Sequence, residues 1–116
     1  MSEPQLIGTW GETLAREYLE AQGLQFVMKN YLCKMGEIDI IMRDKETIIF
    51  VEVRVRNTQL HGDPLESITF QKQRKVRRTA ERYLQQTNHQ GGARIDVIGI
   101  DTSVTPPKIT WVDNAF

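Results

Sequence analysis

Three carboxylates and a guanidinium fall within a short reach of chain, in Gly36-Glu37-Ile38-Asp39 and Val51-Glu52-Val53-Arg54. Carboxylate oxygens are hard donors, and two of them close together can hold one divalent cation. Side chains alternate along a strand, so Glu37, Asp39 and Ile41 share one face. On the next strand Ile48, Phe50, Glu52, Arg54 and Arg56 share one face. With Arg43-Asp44-Lys45-Glu46 as the turn, Met42 pairs with Thr47, Asp39 faces Phe50, and Glu37 faces Glu52. Asp39 and Glu52 are then diagonal neighbours, with Cα atoms about 7–8 Å apart. A slip of one residue would put them on opposite faces.

A charged residue amid Ile-Ile-Phe-Val-Glu-Val needs a partner, because burying a lone carboxylate is costly and burying two together costs more unless a cation joins them. Two partners are open: a metal ion, or the guanidinium groups of Arg54 and Arg56 in ordinary ion pairs. For a metal, oxygen-only donors favour Mg²⁺ or Mn²⁺ over zinc. The chain has one cysteine, Cys33, so it forms no internal disulfide and no cysteine-based zinc site. His61 and His89 lie too far apart in sequence to form a metal-ligand spacing.

The elements that would position these residues can be read along the chain. Ile7 to Ala21 reads as a helix, with Ile7, Trp10, Leu14 and Tyr18 at helical spacing and Ala15 and Leu19 widening the stripe. Leu24 to Leu32, Glu37 to Met42 and Thr47 to Val55 read as strands, the last rich enough in Ile, Val and Phe to be buried on most of both faces. Asn57 to Pro64 reads as a loop. Thr69 can cap a helix through Gln85 whose apolar side is Val76, Ala80, Tyr83 and Leu84. Arg94 to Ile100 and Lys108 to Val112 complete the strands. This order predicts one α/β domain over the whole chain, a mixed five-stranded sheet with helices packed on it.

At 116 residues and 13.4 kDa the chain suits a single domain with a real core and excludes a multidomain machine. Net charge is zero, but between Arg54 and Arg82 eight basic residues meet three acidic ones, and the rest of the chain carries the balancing acid surplus. A basic face toward a polyanion is therefore compatible with neutrality. No apolar run approaches the roughly 20 residues that span a bilayer. The N-terminus has neither the basic nor the apolar region of a signal peptide, so a cytoplasmic location and no membrane partner are expected.

Together these residues resemble a known family. Gly8-Thr9-Trp10-Gly11-Glu12 with Ala15 and Tyr18-Leu19, Asn30-Tyr31, Gly36-Glu37-Ile38-Asp39, Phe50-Val51-Glu52-Val53-Arg54, Lys72 and Arg94-Ile95-Asp96-Val97 follow in order over nearly the whole chain. This series resembles the PD-(D/E)XK nuclease superfamily, in its Holliday-junction-resolvase-like branch, and within it the small bacterial YraN-like family. The resemblance implies a restriction-endonuclease-like three-layer fold. It implies that Asp39 and Glu52 are metal-binding carboxylates, that the Val53 carbonyl completes the metal's protein ligands, and that Glu12 is the first-helix acid. Independently, Glu12 sits beside Gly8 and Ala15, on the small-residue side of a helix that can approach the sheet closely.

One position departs from the superfamily pattern, which has Lys where this chain has Arg54. Arginine binds phosphate and stabilises developing charge, but it stays protonated and cannot serve as a base. Either Arg54 acts electrostatically, or Lys72 takes over, or the site binds without cutting. With Arg56, the helix residues Lys72, Arg74, Lys75, Arg77 and Arg78 could line a phosphate-binding groove; a solvated helix face is the alternative. No aromatic ladder or recognition-helix pattern is present, so shape-dependent binding is expected rather than base readout. The expected activity is Mg²⁺- or Mn²⁺-dependent hydrolysis of DNA phosphodiesters in branched or flapped structures, with RNA not excluded. The alternatives are a non-catalytic nucleic-acid or protein-binding module and a small-phosphoester hydrolase. A single-site nuclease that cuts two strands uses two copies, so the fold analogy also allows a homodimer.

Overall fold

The computed structural model describes residues 3–57 and 64–116, and side chains from residue 8 onward. Helix α1 (Glu3–Ala21) precedes strands β1 (Gln25–Cys33), β2 (Gly36–Asp44) and β3 (Thr47–Arg56). A 3-10 turn (Pro64–Ser67), helix α2 (Phe70–Gln86) and strands β4 (Ala93–Asp101) and β5 (Lys108–Val112) follow. Most of the expected loop from Asn57 to Pro64 lies outside the described residues, as does His61. The five strands form one sheet in sequence order. Neighbours are antiparallel except β3 and β4, which run parallel and are joined through α2. A parallel pair requires such a crossover, and here it places the second helix on the sheet.

The helices cover opposite faces. Ala15 and Leu19 of α1 bury against Ile40, Met42, Val51 and Ile98, and Val76 and Ala80 of α2 bury against Ile38, Phe50 and Ile95. Tyr83 and Leu84 pack at the edge of the second cluster, so the apolar side of α2 is the expected one. Each fully buried Leu, Ile or Phe contributes about 1.5–3 kcal/mol. The result is a helix–sheet–helix sandwich compatible with the restriction-endonuclease-like three-layer fold. No helix among the described residues is long and apolar enough to cross a membrane.

Two sequence expectations about α1 change. Trp10 is 42% exposed and lies off the buried stripe. The close approach to the sheet is made at Gly11, not Gly8: a Cβ on Gly11 would fall 2.5 Å from Val55 Cγ2, while Gly8 has open space. Gly11 therefore sets the height of α1 above β3, and with it the height of Glu12.

The β2–β3 register also differs from expectation. Asp44 pairs with Thr47 and Met42 with Ile49, so the turn is only Lys45-Glu46. Lys45 adopts φ 55°, the positive φ that tight two-residue hairpin turns use. The register is two residues away from the expected one. Extended one residue past its last pair, Ile40 with Val51, this register puts Asp39 level with Glu52 instead of Phe50.

Strand β1 is one open edge of the sheet. Its pairing with β2 slips between Phe26 and Met28, leaving Val27 as a bulge, and Asn30 has φ 55°. At the other side of the sheet Asp96 is fully buried yet fully satisfied. It accepts from Arg94 Nε at 3.0 Å, Trp111 Nε1 at 2.8 Å and the Asn114 main-chain N–H at 2.9 Å. That carboxylate ties β4, β5 and the C-terminal segment together.

Candidate functional site

The site forms where the sheet forks. Pairing between β2 and β3 stops at Ile40 and Val51, although both strands continue. Alternation on β2 breaks at the same place: Ile40 and Met42 pack toward α1, whereas Ile38 and Ile41 both pack toward α2. The expectation that Asp39 shares a face with Ile41 is thereby replaced. The β1 partner turns over with β2, since Met28 opposite Ile41 and Tyr31 opposite Ile38 both face α2, with Asn30 between them. Asp39 therefore sits in the fork, where it meets groups from both faces of the sheet.

In the fork, Asp39 Oδ2 accepts the Val53 main-chain N–H at 2.8 Å. That bond replaces the ladder bond β2 would have supplied, and it brings the Val53 main chain to the carboxylate. On the α1 side, carboxylate oxygens of Glu12, Glu37 and Asp39 all lie within 4.8 Å of one another. On the α2 side, Glu52 is 4% exposed and meets Lys72 Nζ at 3.4 Å. Asp39 is thus the shared member of two acidic groupings on opposite sides of the sheet.

The electrostatics follow from that crowding. Burial is the largest influence on Asp39, and the hydrogen bond and charge of Glu52 act in the same direction; Val53 N–H and Lys72 oppose them. Its carboxyl is raised from 3.8 to about 8. Glu12 is raised as well, first by burial and then by Asp39 and Glu37, against Lys29 and a side-chain hydrogen bond with Asn30. A carboxyl held above its ordinary range by its neighbours is one that gains from a cation placed among them. The donors are all oxygens, matched to Mg²⁺ or Mn²⁺. The residues present fit a hard divalent ion.

The structure brings Glu12 to Asp39 on the α1 side, Glu52 with Lys72 to it on the α2 side, and the Val53 main chain to it within the fork. Thr69 caps α2 by accepting from Lys72 N–H at 3.1 Å, which fixes the first turn and aims Lys72 beneath the helix. Arg54 does not join the carboxylates. Its Nη2 donates to the Ser67 carbonyl at 2.8 Å and its Nε to Ser67 Oγ at 3.2 Å. Ser67 Oγ in turn donates to the Pro64 carbonyl at 2.7 Å. That turn rests on β4 at Gly99, where any Cβ would lie 2.1 Å from Pro64 Cγ. Arg54 is a strut for the segment leading into α2.

The other basic residues disperse. Lys75 flanks the β1–β2 hairpin beside Gly36, whereas Arg77 lies over the Phe116 ring, 5.7 Å from its centroid, on the β4 side. Arg74 and Arg78 are exposed. Arg56 pairs in register with Asp101 at the end of β3. Lys75 and Arg77 thus stand on different sides of α2, so the six expected phosphate contacts do not all share one face. Glu37 is the site member that sequence reasoning left out of its candidate set. The signal was present: it is two residues from Asp39, and it needs only the fork to bring it beside Glu12.

The family model described as "Uncharacterised protein family UPF0102" matches residues 11–100. A UPF0102 protein of Psychromonas ingrahamii is 43% identical, over 94% of this chain and 88% of the relative. Another from Nitrosococcus oceani is 43% identical over 94% and 90%. A third, from Legionella pneumophila, is 43% identical over 94% and 92%. The match spans α1 through β4, and so includes every residue of the fork. The chain belongs to the UPF0102 family, the YraN family that its motifs resemble.

Proposed function

We propose that the protein is a divalent-cation-dependent phosphodiesterase that hydrolyses DNA. The observation that carries this reading is the position of Asp39, in a sheet fork with Glu12 and Glu37 on one side and the Glu52–Lys72 pair on the other. The resemblance to the PD-(D/E)XK superfamily supports it. Asp39, Glu52 and the Val53 carbonyl would hold Mg²⁺ or Mn²⁺, with Glu12 beside them. The ion would supply a water of lowered pKa and charge stabilisation on the leaving oxygen. Asp39, fixed by the Val53 N–H, orients the donor set. Glu12 and Glu37 stand where they can accept a proton from water entering on the α1 side. Lys72 brings a positive charge to the buried end of the site, where it can offset charge developing on a phosphoryl oxygen. Arg54 acts indirectly, through the Ser67 turn.

The test is single-turnover cleavage of duplex, single-stranded, flapped and four-way-junction DNA with Mn²⁺, against an EDTA control. Wild type cuts at least one substrate. Lys72→Ala loses about 10²–10³-fold, the effect of removing one preorganised donor. Arg54→Lys and Arg54→Ala act mainly on stability. Loss of cutting in Arg54→Ala with full retention in Lys72→Ala would return the catalytic role to Arg54.

A second reading is a nucleic-acid-binding module without turnover. It is favoured by one observation: the residue at the superfamily's lysine position is committed to Ser67 and not to the carboxylates. Saturable Mn²⁺ binding with no cleavage by wild type on any substrate would select it.

A further inference from the structure

Helix α1 does not seal onto the edge of the sheet. Glu12, Arg16 and Glu20 follow one another at one-turn intervals, so the flank of α1 that overhangs β1 is charged where close packing would call for apolar residues. Phe26 and Ile40 lie below them, and Lys29 and Asn30 lie opposite. A groove of about 280 Å³ is left between helix and strand. From Glu12 to Glu20 it runs about 12 Å, at 1.5 Å per helical residue.

Register fixes the face on which this groove opens. Lys29 pairs with Ile40 and Phe26 with Met42, and Phe26, Ile40 and Met42 all pack toward α1. The groove therefore lies on the α1 side of the sheet. Its inner end is Glu12, whose carboxylate oxygen lies within 4.8 Å of those of Glu37 and Asp39. The groove thus leads into the fork.

Charge and size agree on what can travel along it. Arg16 is drawn aside: its Nε donates to Glu20 at 3.2 Å, and its guanidinium lies over the Phe26 ring, 3.6 Å from the centroid. With that pair cancelled, Lys29 stands against Glu17 and the three carboxylates at the inner end. The balance favours a cation. Mg²⁺ gives up its water reluctantly, so a route to the site has to pass the hydrated ion. Six waters at about 30 Å³ each occupy about 180 Å³, less than the groove holds. The α2 side offers no such route. Lys72 Nζ stands 3.4 Å from Glu52, and Lys75 flanks the same side beside Gly36. Lys75, Arg78 and Arg82 are exposed, and no carboxylate forms an ion pair with any of them among the described residues. A divalent cation approaching there meets repulsion first.

We infer that the α1–β1 groove is the entrance through which the hydrated divalent cation reaches the fork, leaving the α2 side to the phosphate. Glu17, exposed on the groove wall, draws the ion in; Lys29 tempers that pull; Glu12 passes the ion to Asp39. Metal and substrate then meet Asp39 from opposite faces of the sheet. The inference rests on the reading of the fork as a metal-dependent site.

An entrance differs from a ligand in its kinetics, because blocking it slows both directions and leaves the equilibrium alone. Thr13 is exposed and lines the groove outside the carboxylate set, so Thr13→Trp fills the groove and keeps every donor. Mn²⁺ affinity is measured on the full chain by isothermal titration. Release is timed by stopped-flow mixing with a fluorescent chelator, and the two together give the association rate. Thr13→Trp slows association and release by the same factor, about tenfold, at unchanged affinity. Glu17→Lys slows association about three- to tenfold at low ionic strength, an effect that fades in salt, and leaves release unmoved. Lys75→Glu moves neither Mn²⁺ rate but weakens binding of a duplex oligonucleotide in EDTA. Circular dichroism checks folding, and the exposed Glu17→Lys carries the test if Thr13→Trp does not fold. Wild-type rates in both groove variants overturn the entrance alone. Acceleration by Lys75→Glu as large as the slowing by Glu17→Lys moves the entrance to the α2 side and also overturns it. A wild type that binds no Mn²⁺ overturns the reading of the fork, and the entrance with it.

Discussion

Asp96, fully buried, and Asp39, partly buried, are both acids on inner strands of the sheet, yet they have opposite surroundings. Asp96 is surrounded by donors: a guanidinium, an indole N–H and a main-chain N–H. Asp39 has one main-chain donor and otherwise faces other carboxylates, with Lys72 reaching only as far as Glu52. The first arrangement stores stability in a closed set of hydrogen bonds. The second holds a proton among carboxylates, one that a bound cation would displace. Burial alone does not separate a structural acid from a functional one; the sign of the neighbours does.

The largest expected effect tests the structural side. Asp96→Ala leaves the Arg94 charge without its partner and strands two donors, and should cost about 3–5 kcal/mol in urea unfolding. Divalent-cation binding by whatever remains folded should be unchanged. An Asp96→Ala protein as stable as wild type would erase the distinction between the two acids.

The next effect is a pH dependence. Asp39 is raised in the folded state from 3.8 to about 8, so between those values the folded protein binds more protons than the unfolded chain. Stability in EDTA should therefore fall as pH rises from about 4 to about 8. Asp39→Asn should flatten that slope and leave the protein as stable as wild type or more so near neutral pH. Mn²⁺ should raise the wild-type melting temperature and leave Asp39→Asn unmoved. A slope that persists in Asp39→Asn would place the titrating group elsewhere.

The smallest effect sharpens the comparison at Lys72. Thr69→Ala removes the cap that accepts from Lys72 N–H, and should cost about 1 kcal/mol. Because the first turn of α2 aims Lys72 at Glu52, cleavage should fall by more than that stability loss alone implies. Equal, modest declines in both would make the cap purely structural.

Much of this contrast was readable from residue types. Glu-Ile-Asp and Val-Glu-Val-Arg on adjacent strands announced a paired-carboxylate hairpin, and period-two counting kept Asp39 and Glu52 together despite a register wrong by two. The error came from Lys45, since a non-glycine residue at positive φ gives no signal in sequence and shortens the turn. The fork was not readable, because it depends on both strands turning over at Asn30 and Asp39. Its consequence, Glu37 joining Glu12, was hidden with it. The contacts of Arg54 were not readable for a different reason: its partner, Ser67, lies 13 residues away across a segment with no periodicity to read. Lys72 could be suspected only because a basic residue near a capped helix start follows the hairpin.

The irregular edge of β1 has a further consequence. An open strand edge offers unpaired N–H and C=O groups as a template for another chain, and straight edges invite sheet-to-sheet polymerisation. The Val27 bulge and the left-handed Asn30 interrupt that row at two points, so an incoming strand could stay in register for only two or three residues. The same turn-over of β1 and β2 that opens the fork thus also protects the protein against amyloid-like stacking. Straightening β1 to improve its pairing would be expected to raise its tendency to aggregate.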